Sequence, residues 1–218
     1  MKWRKFFMRA APKDKFTKQE KSWILYDWAN SVYATNIMAA IFPIYFTAVA
    51  GEDTVGMQWW GYGTSLATLI VAVMAPILGS LGDYKGMKKK FFTIFMLVGV
   101  FCTLIMAVFD NWQMLLVGYV LSYIGFAGSC LFYDSFLTDV TTRDRMDKIS
   151  AWGYAMGYIG GSTIPFLISI GILLVMGMDN PTAVKIVVVL TSVWWGLFSI
   201  PMMRNVKQTY YLEGRPHH

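Results

Sequence analysis

The stretch WWGYGTSLATLIVAVMAPILGSLG, residues 59–82, contains no charged residue, and DYKGMKKK, residues 83–90, follows it directly. An apolar segment of this length crosses a bilayer as a helix. Five further segments qualify, so the sequence predicts an all-α membrane protein with six transmembrane helices. Their expected bounds are about 23–50, 59–82, 91–109, 112–137, 150–176 and 183–203.

The composition supports a bilayer as the solvent for these segments. The chain has 218 residues, of which 56% are hydrophobic and 15% are charged, whereas a soluble domain carries about 25% charged residues. Cys102 and Cys130 lie inside apolar segments and are interpreted as small hydrophobic residues. No metal site, cofactor site or nucleophile–base set is visible, and the sequence therefore predicts no enzyme.

The lysines and arginines predict the topology. Eighteen of the 19 lie before the first span, between the second and third, between the fourth and fifth, or after the sixth; Lys185 is the exception. By the positive-inside rule both termini are cytoplasmic. The formal charge of +6 is thus a topology signal, and no nucleic-acid partner is predicted.

Three regions follow from this pattern. Residues 1–21 are a basic cytoplasmic segment, either a solvated tail or an amphipathic stretch lying on the anionic inner leaflet. Residues 22–203 are the six-helix bundle, with most tryptophans near span ends as in an aromatic belt. Residues 204–218 are a cytoplasmic tail whose end, from Leu212 to His217 and His218, is interpreted as the remnant of a purification tag.

Weak internal similarity suggests two inverted three-helix repeats. The second span opens with Trp60-Gly-Tyr62 and contains Pro76, while the fifth opens with Trp152-Gly-Tyr154 and contains Pro165. Spans one to three would then correspond to spans four to six, as in many transporters. The two prolines are expected to interrupt helical hydrogen bonding and to permit kinks.

The loop after the second span resembles a known signature. Its sequence GSLGDYKGMKK, residues 79–89, is similar to Gly-x-Leu-Ala-Asp-Arg-x-Gly-Arg-Lys between helices two and three of the major facilitator superfamily. The matching positions are Gly79, Leu81, Asp83, Gly86 and Lys88. The resemblance implies a cytoplasmic gate that latches against the other half of a transporter; the alternative is an ordinary turn with topogenic lysines.

A second resemblance is more specific. The residues from Tyr26-Asp-Trp-Ala-Asn30, with Tyr133-Asp134 and the glycines after Trp152, resemble the vacuole-effluxer-like branch of that superfamily, which is related to autophagy-type amino-acid effluxers. The resemblance covers residues 22–203. It implies the N-terminal six-helix half of a twelve-helix secondary transporter.

Asp27 and Asp134 are the acidic residues clearly inside spans, each expected about one turn from the cytoplasmic end. A charge in the bilayer interior costs several kcal/mol, so each needs a reason. One interpretation is a pair lining a water-filled cavity, in which one carboxylate carries a proton or holds a cationic group. In the alternative, local interpretation, Asp27 is stabilised by the N-terminus of its own helix. Asp134 then forms an ion pair with Arg143, Arg145 or Lys148.

Asn30 and Tyr33 continue a polar stripe from Asp27 at helical spacing. Tyr119, Tyr123 and Cys130 lead to Asp134 in the same way. Asn30, Tyr33 and Tyr123 are therefore candidates to contact a polar solute, the alternative being interhelical hydrogen bonds.

Gly153, Gly157 and Gly161 lie four residues apart in the fifth span. They present a small-residue face on which another helix can pack closely. That helix could belong to the same bundle or to a second copy of the chain.

Two functions stay open. The first is a secondary, proton-coupled transporter of a small polar solute such as an amino acid, assembled as a homodimer or with a matching C-terminal half. The second is a six-helix assembly or regulatory partner that transports nothing. The lipid bilayer is the expected environment, with a bacterial cytoplasmic membrane favoured over a vacuolar one.

Overall fold

The computed structural model describes residues 15–51 and 53–213, which form a bundle of helices. Nine α-helices occur in these ranges: α1 (Lys18–Tyr33), α2 (Phe42–Val49), α3 (Asp53–Gly82), α4 (Met87–Met106), α5 (Trp112–Ser135), α6 (Leu137–Val140), α7 (Met146–Met156), α8 (Ile164–Met176) and α9 (Pro181–Asn205). Extended pairing in this part of the chain is limited to one isolated bridge between Tyr84 and Leu212.

Among the described residues, five helical segments are long and apolar enough to cross a membrane, and a sixth qualifies if a bent pair is taken as one span. The bent pair is Lys18–Ala40 with Phe42–Val49, and its two parts meet at 42°. The predicted all-α fold is confirmed for the described residues. The six predicted spans correspond to these six segments by length and composition.

The first span begins earlier than predicted because its N-terminus is capped. The Thr17 hydroxyl accepts a hydrogen bond from the backbone N–H of Glu20 at 3.1 Å, and the Glu20 carboxylate accepts one from the N–H of Thr17 at 2.8 Å. This reciprocal pair is a capping box, which satisfies two backbone donors at the helix start. Helix α1 therefore begins at Lys18, five residues before the predicted bound of 23.

Two spans contain a π-helical turn ahead of a proline. Residues Ala34–Ala40 precede Pro43 in α2, and Gly157–Thr163 precede Pro165 in α8. A proline donates no backbone hydrogen bond, and the chain before it here widens to a bond spanning five residues. The predicted interruption is present at Pro165. Pro76, in contrast, lies within α3, which continues unbroken to Gly82.

Buried polar side chains join the central helices. Tyr26 of α1 is fully buried, donates to the Ser129 hydroxyl of α5 at 2.7 Å and accepts from the Trp195 indole of α9 at 3.3 Å. Such hydrogen bonds hold membrane helices together where lipid offers none. The core of the bundle thus lies between α1, α4, α5 and α9, while α3 packs at the periphery against α5.

The two ends of the bundle differ in charge. We call the end at which α1 begins and α9 ends the basic end; it also carries the loop 83–86 between α3 and α4 and the segment 136–145 between α5 and α7. At the opposite end lie the α4–α5 and α8–α9 connections, where Asp110 forms an exposed ion pair with Lys185.

Candidate functional site

Asp27 faces a wall of small residues inside the bundle. It lies nine residues after the start of α1, about two and a half helical turns, and is partly buried. A Cβ built on Gly157 would fall 3.0 Å from Cγ of Asp27 and 2.8 Å from Oγ of Ser31. A helix dipole acts mainly on the first turn, so the helix N-terminus of the local interpretation does not account for Asp27.

Asp134 lies in the last turn of α5 and is exposed. The ion pair expected by the local interpretation is absent among the described residues, because the Arg145 guanidinium binds Glu20 instead. The C-terminal dipole of α5 also opposes a negative charge at this place. The local interpretation of this carboxylate therefore does not hold for the described chain.

The two carboxylates lie within electrostatic reach of each other, with polar groups around them. The Asn30 amide donates to the Cys130 sulfur at 3.3 Å, which links α1 to α5 beside Asp27 and Asp134. The buried Tyr133 hydroxyl also interacts electrostatically with both carboxylates and has no hydrogen-bond partner in the described chain. A buried hydroxyl without a partner in the described chain, beside two carboxylates that form no ion pair there, is an unusual arrangement, since buried polar groups are normally satisfied.

The two predicted tyrosines lie deeper in the bundle. Tyr33 is fully buried, shares a 2.6 Å hydrogen bond with Ser122 and stacks on Phe126. Tyr123 is half-buried, and its hydroxyl lies 3.2 Å from that of Thr68 on α3. The structure thus groups Asp27, Asn30 and Asp134 together and uses Tyr33 as an interhelical contact. Tyr133 directly precedes Asp134 but was not among the predicted site residues.

The glycine face of the fifth span packs on α1 within one chain. Cβ atoms built on Gly153 and Gly161 would fall 2.9 Å from the Trp23 ring and 2.7 Å from the carbonyl oxygen of Trp28. Gly157 lies between them against Asp27. Of the two open partners for this face, the structure shows the helix of the same bundle.

The predicted gate motif forms a tight turn at the basic end. Gly86 has φ +76° at the N-cap of α4, and this is a backbone conformation that a residue with a Cβ rarely adopts. Lys88 is buried, and its ammonium group donates to the Asp139 carboxylate at 2.7 Å and to the Ser135 carbonyl at 3.3 Å. Asp83 and Gly79 are less constrained: Asp83 is exposed, and a Cβ on Gly79 would meet open space.

The tail after α9 is bonded to this motif, which the sequence did not predict. The Gln208 side chain accepts from the N–H of Gly86 and donates to the carbonyl of Gly82, both at 3.0 Å. The other carboxylate oxygen of Asp139 accepts from the N–H groups of Thr209 and Tyr210 at 2.7 and 3.0 Å. The tail therefore lies along the loop 83–86, called the gate loop after the predicted motif, instead of extending away from the bundle.

A second buried carboxylate fastens the other side of the basic end. Glu20 accepts from Nε and one terminal nitrogen of Arg145, each at 2.9 Å, and from the Thr141 hydroxyl at 2.8 Å. Glu20 has a side-chain exposure of 2%. Its capping-box position was readable in the sequence as Thr17-x-x-Glu20, but its partner 125 residues away was not.

A family model described as "Vacuole effluxer Atg22 like" matches residues 60–216. The chain belongs to this Atg22-like family of the major facilitator superfamily. It is a multi-pass membrane protein. The family match extends beyond 212, and so it includes most of the residues interpreted above as a tag remnant.

The chain is also similar to curated proteins. It is 44% identical over 214 residues to the "Uncharacterized MFS-type transporter YxiO" of Bacillus subtilis (strain 168), a match that covers 93% of this chain and 50% of that protein. It is 27% identical to an "Uncharacterized protein" of Aquifex aeolicus (strain VF5), covering 63% and 35% of the two chains. The chain thus spans about half the length of the first relative and a smaller share of the second. No solved structure matches it.

Proposed function

We propose that this chain is one half of a secondary transporter for a small polar solute such as an amino acid, and that Asp27 and Asp134 carry the coupling proton. The single observation that carries the proposal is that neither carboxylate forms an ion pair within the described residues. A charge without a partner in a membrane helix costs several kcal/mol, and such residues usually face a bundle interior or a water-filled cavity.

The exposure of Asp134 supports a cavity outside this six-helix bundle. An exposed carboxylate on α5 would meet lipid if the bundle stood alone, whereas a second six-helix unit would place it in an enclosed aqueous space. That unit is either a second copy of the chain or a C-terminal half. The 50% coverage of the relative from Bacillus subtilis supports the latter.

The orientation belongs to the same proposal. With the basic end in the cytoplasm, the positive-inside rule is satisfied. Asp134, in the last turn of α5, then lies near the cytoplasmic mouth of the cavity, and Asp27 lies about two and a half turns into α1. The membrane is the bacterial cytoplasmic membrane, as expected for a relative from Bacillus subtilis.

The first test reconstitutes the full chain in liposomes that hold a trapped pH dye, with a pool of radiolabelled amino acids outside. We expect uptake of label together with proton movement, and we expect Asp134→Asn to abolish the proton signal. The matched control is Asp179→Asn, which removes an exposed carboxylate at the opposite end. Coupling that survives Asp134→Asn unchanged would contradict the assignment.

The mass of the chain in lipid nanodiscs decides what completes the cavity. A dimer that transports supports two identical halves. A monomer that gains transport when the C-terminal half of its relative is co-expressed supports a two-half assembly. A chain that transports in neither setting would instead be a non-transporting membrane partner, and the proposal would fail.

A further inference from the structure

A cavity of about 500 Å³ opens at the basic end, between the gate loop, the end of α9 and the tail. Four cationic side chains line it: Lys85, Lys89, Arg204 and Lys207. No acidic residue of the described chain is among its lining residues. The site described above shares none of these side chains.

None of the four cations has a carboxylate partner in the described chain. The three ion pairs found there join Lys88 to Asp139, Arg145 to Glu20 and Lys185 to Asp110. Arg204, Lys85 and Lys207 are exposed. The cavity therefore concentrates positive charge that nothing in the described residues neutralises.

The geometry of the cavity is fixed by hydrogen bonds that leave this charge in place. The Lys89 ammonium donates to the carbonyl groups of Met202 and Val206, both neutral acceptors. Lys207 lies near enough to repel Lys89 electrostatically. Since like charges held together raise the energy of the folded state, an anion in the cavity would relieve their repulsion.

The position of the cavity restricts the kind of anion. Lys85 and Lys89 flank the start of α4, and Arg204 lies in the last turn of α9. These are the ends of membrane-spanning segments, where lipid headgroups lie and where basic pockets between helices bind phosphate-bearing headgroups. Arginine and lysine at such a site suit a phosphate, which presents several charged acceptor oxygens.

We infer that this cavity binds an anionic phosphate group, carried either by a membrane lipid or by a soluble phosphate. The tail supplies part of the wall, including Lys207, Gln208 and Tyr211. The Lys85 ammonium already lies over the Tyr211 ring, 5.3 Å from its centroid. A bound phosphate therefore favours the docked tail, because the cavity exists only while the tail lies against the gate loop.

The test compares two triple variants of the full chain with the same net charge. The cavity variant is Lys85→Gln/Arg204→Gln/Lys207→Gln. The control variant is Lys21→Gln/Lys90→Gln/Arg143→Gln, which removes three exposed cations from the basic end without touching the cavity. Lipid binding is measured by native mass spectrometry with phosphatidylglycerol, and with phosphatidylcholine as the zwitterionic comparison.

We expect the wild type and the control variant to retain phosphatidylglycerol in preference to phosphatidylcholine. The cavity variant should bind phosphatidylglycerol on the order of a hundredfold more weakly, at roughly fivefold for each charge removed. Equal loss in both triple variants would show a general charge effect and overturn the inference, whereas equal binding by all three proteins would exclude a lipid headgroup as the source of the phosphate.

A second arm separates the two sources of phosphate. Thermal unfolding is measured in detergent with inorganic phosphate against chloride at the same ionic strength, since a ligand of the folded state raises the Tm. A rise in the wild type that the cavity variant lacks assigns a soluble phosphate, and lipid binding without such a rise assigns the headgroup. Absence of both overturns the inference. If the cavity variant does not fold, Arg204→Gln alone replaces it, with an expected loss of about fivefold.

Discussion

Two pairs of carboxylates lie near the same end of the bundle and differ in their partners. Glu20 and Asp139 have buried side chains, each held by a cation and by further hydrogen bonds. Asp27 and Asp134 have no ion pair in the described chain, and Asp134 is exposed. Burial of a charge requires such partners, so the first pair has a structural explanation that the second pair lacks.

The difference shows how a structural carboxylate is recognised in a membrane protein. Its acceptor capacity is filled, as at Glu20, whose two oxygens receive four hydrogen bonds. A carboxylate with spare capacity can exchange a proton or a ligand without breaking the fold. The comparison therefore predicts opposite responses when each carboxylate is neutralised.

The largest effect on stability is expected for Glu20→Gln. The substitution removes the Glu20 carboxylate from the Arg145 guanidinium, whose side chain is 15% exposed. Breaking a buried ion pair on one side costs about 3 kcal/mol or more, and we expect a clear fall in Tm in detergent. The control is Asp110→Asn, which breaks an exposed ion pair at the opposite end and should cost less than about 1 kcal/mol. Equal effects would contradict the distinction between buried and exposed pairs.

Asp139→Asn is expected to have the next largest effect and to release the tail. The asparagine side chain is neutral, so the Lys88 ammonium loses its counter-charge. Its NH2 group is also a donor and cannot accept the hydrogen bonds that the carboxylate accepts. Hydrogen bonds to charged groups contribute about 2 kcal/mol, so the docked tail should open more than tenfold more often. Limited trypsin digestion after Lys207, followed by mass spectrometry, measures this opening. A cleavage rate equal to that of the wild type would show that Asp139 does not hold the tail.

Gly157→Ala should have a smaller effect on stability. The added methyl group would meet the ends of the Ser31 and Asp27 side chains, and these can move at a cost of about 1 kcal/mol. Gly171→Ala in the same span is the control, because its Cβ would meet open space, and alanine should raise helix stability slightly there. If Gly157→Ala loses proton coupling although its stability falls only slightly, the packing of Gly157 against Asp27 matters for coupling.

Much of the fold could be predicted from local signals in the sequence. Apolar runs and charged islands give six hydrophobic segments, since every backbone group in lipid must be satisfied within a helix. The start of α1 was missed by five residues, although Thr17 and Glu20 form a readable capping box. The bend near Pro43 and the unbroken helix at Pro76 depend on packing, which the sequence pattern does not contain.

The candidate site was predicted in part, for a similar reason. An acidic residue in an apolar span is visible by composition alone, which is how Asp27 and Asp134 were found. The contacts that show whether these carboxylates are structural or functional join residues far apart in the sequence. Arg145 forms an ion pair with Glu20, and Asn30 donates a hydrogen bond to Cys130 at a separation of 100 residues. Whether Tyr33 faces a solute or the core likewise depends on which helix covers it.

The smallest effect on stability, and the sharpest test of the comparison, is expected for Asp134→Asn. Within the described residues the side chain of Asp134 has no hydrogen bond or ion pair to lose, and neutralising it removes a negative charge that the C-terminal dipole of α5 disfavours. The Tm should stay unchanged or rise slightly, whereas Glu20→Gln and Asp139→Asn should lower it. A fall in Tm as large as that of Asp139→Asn would mean that Asp134 has a structural partner after all. If the variant is stable but lacks proton coupling, the carboxylates that stabilise the bundle are distinct from those that serve transport.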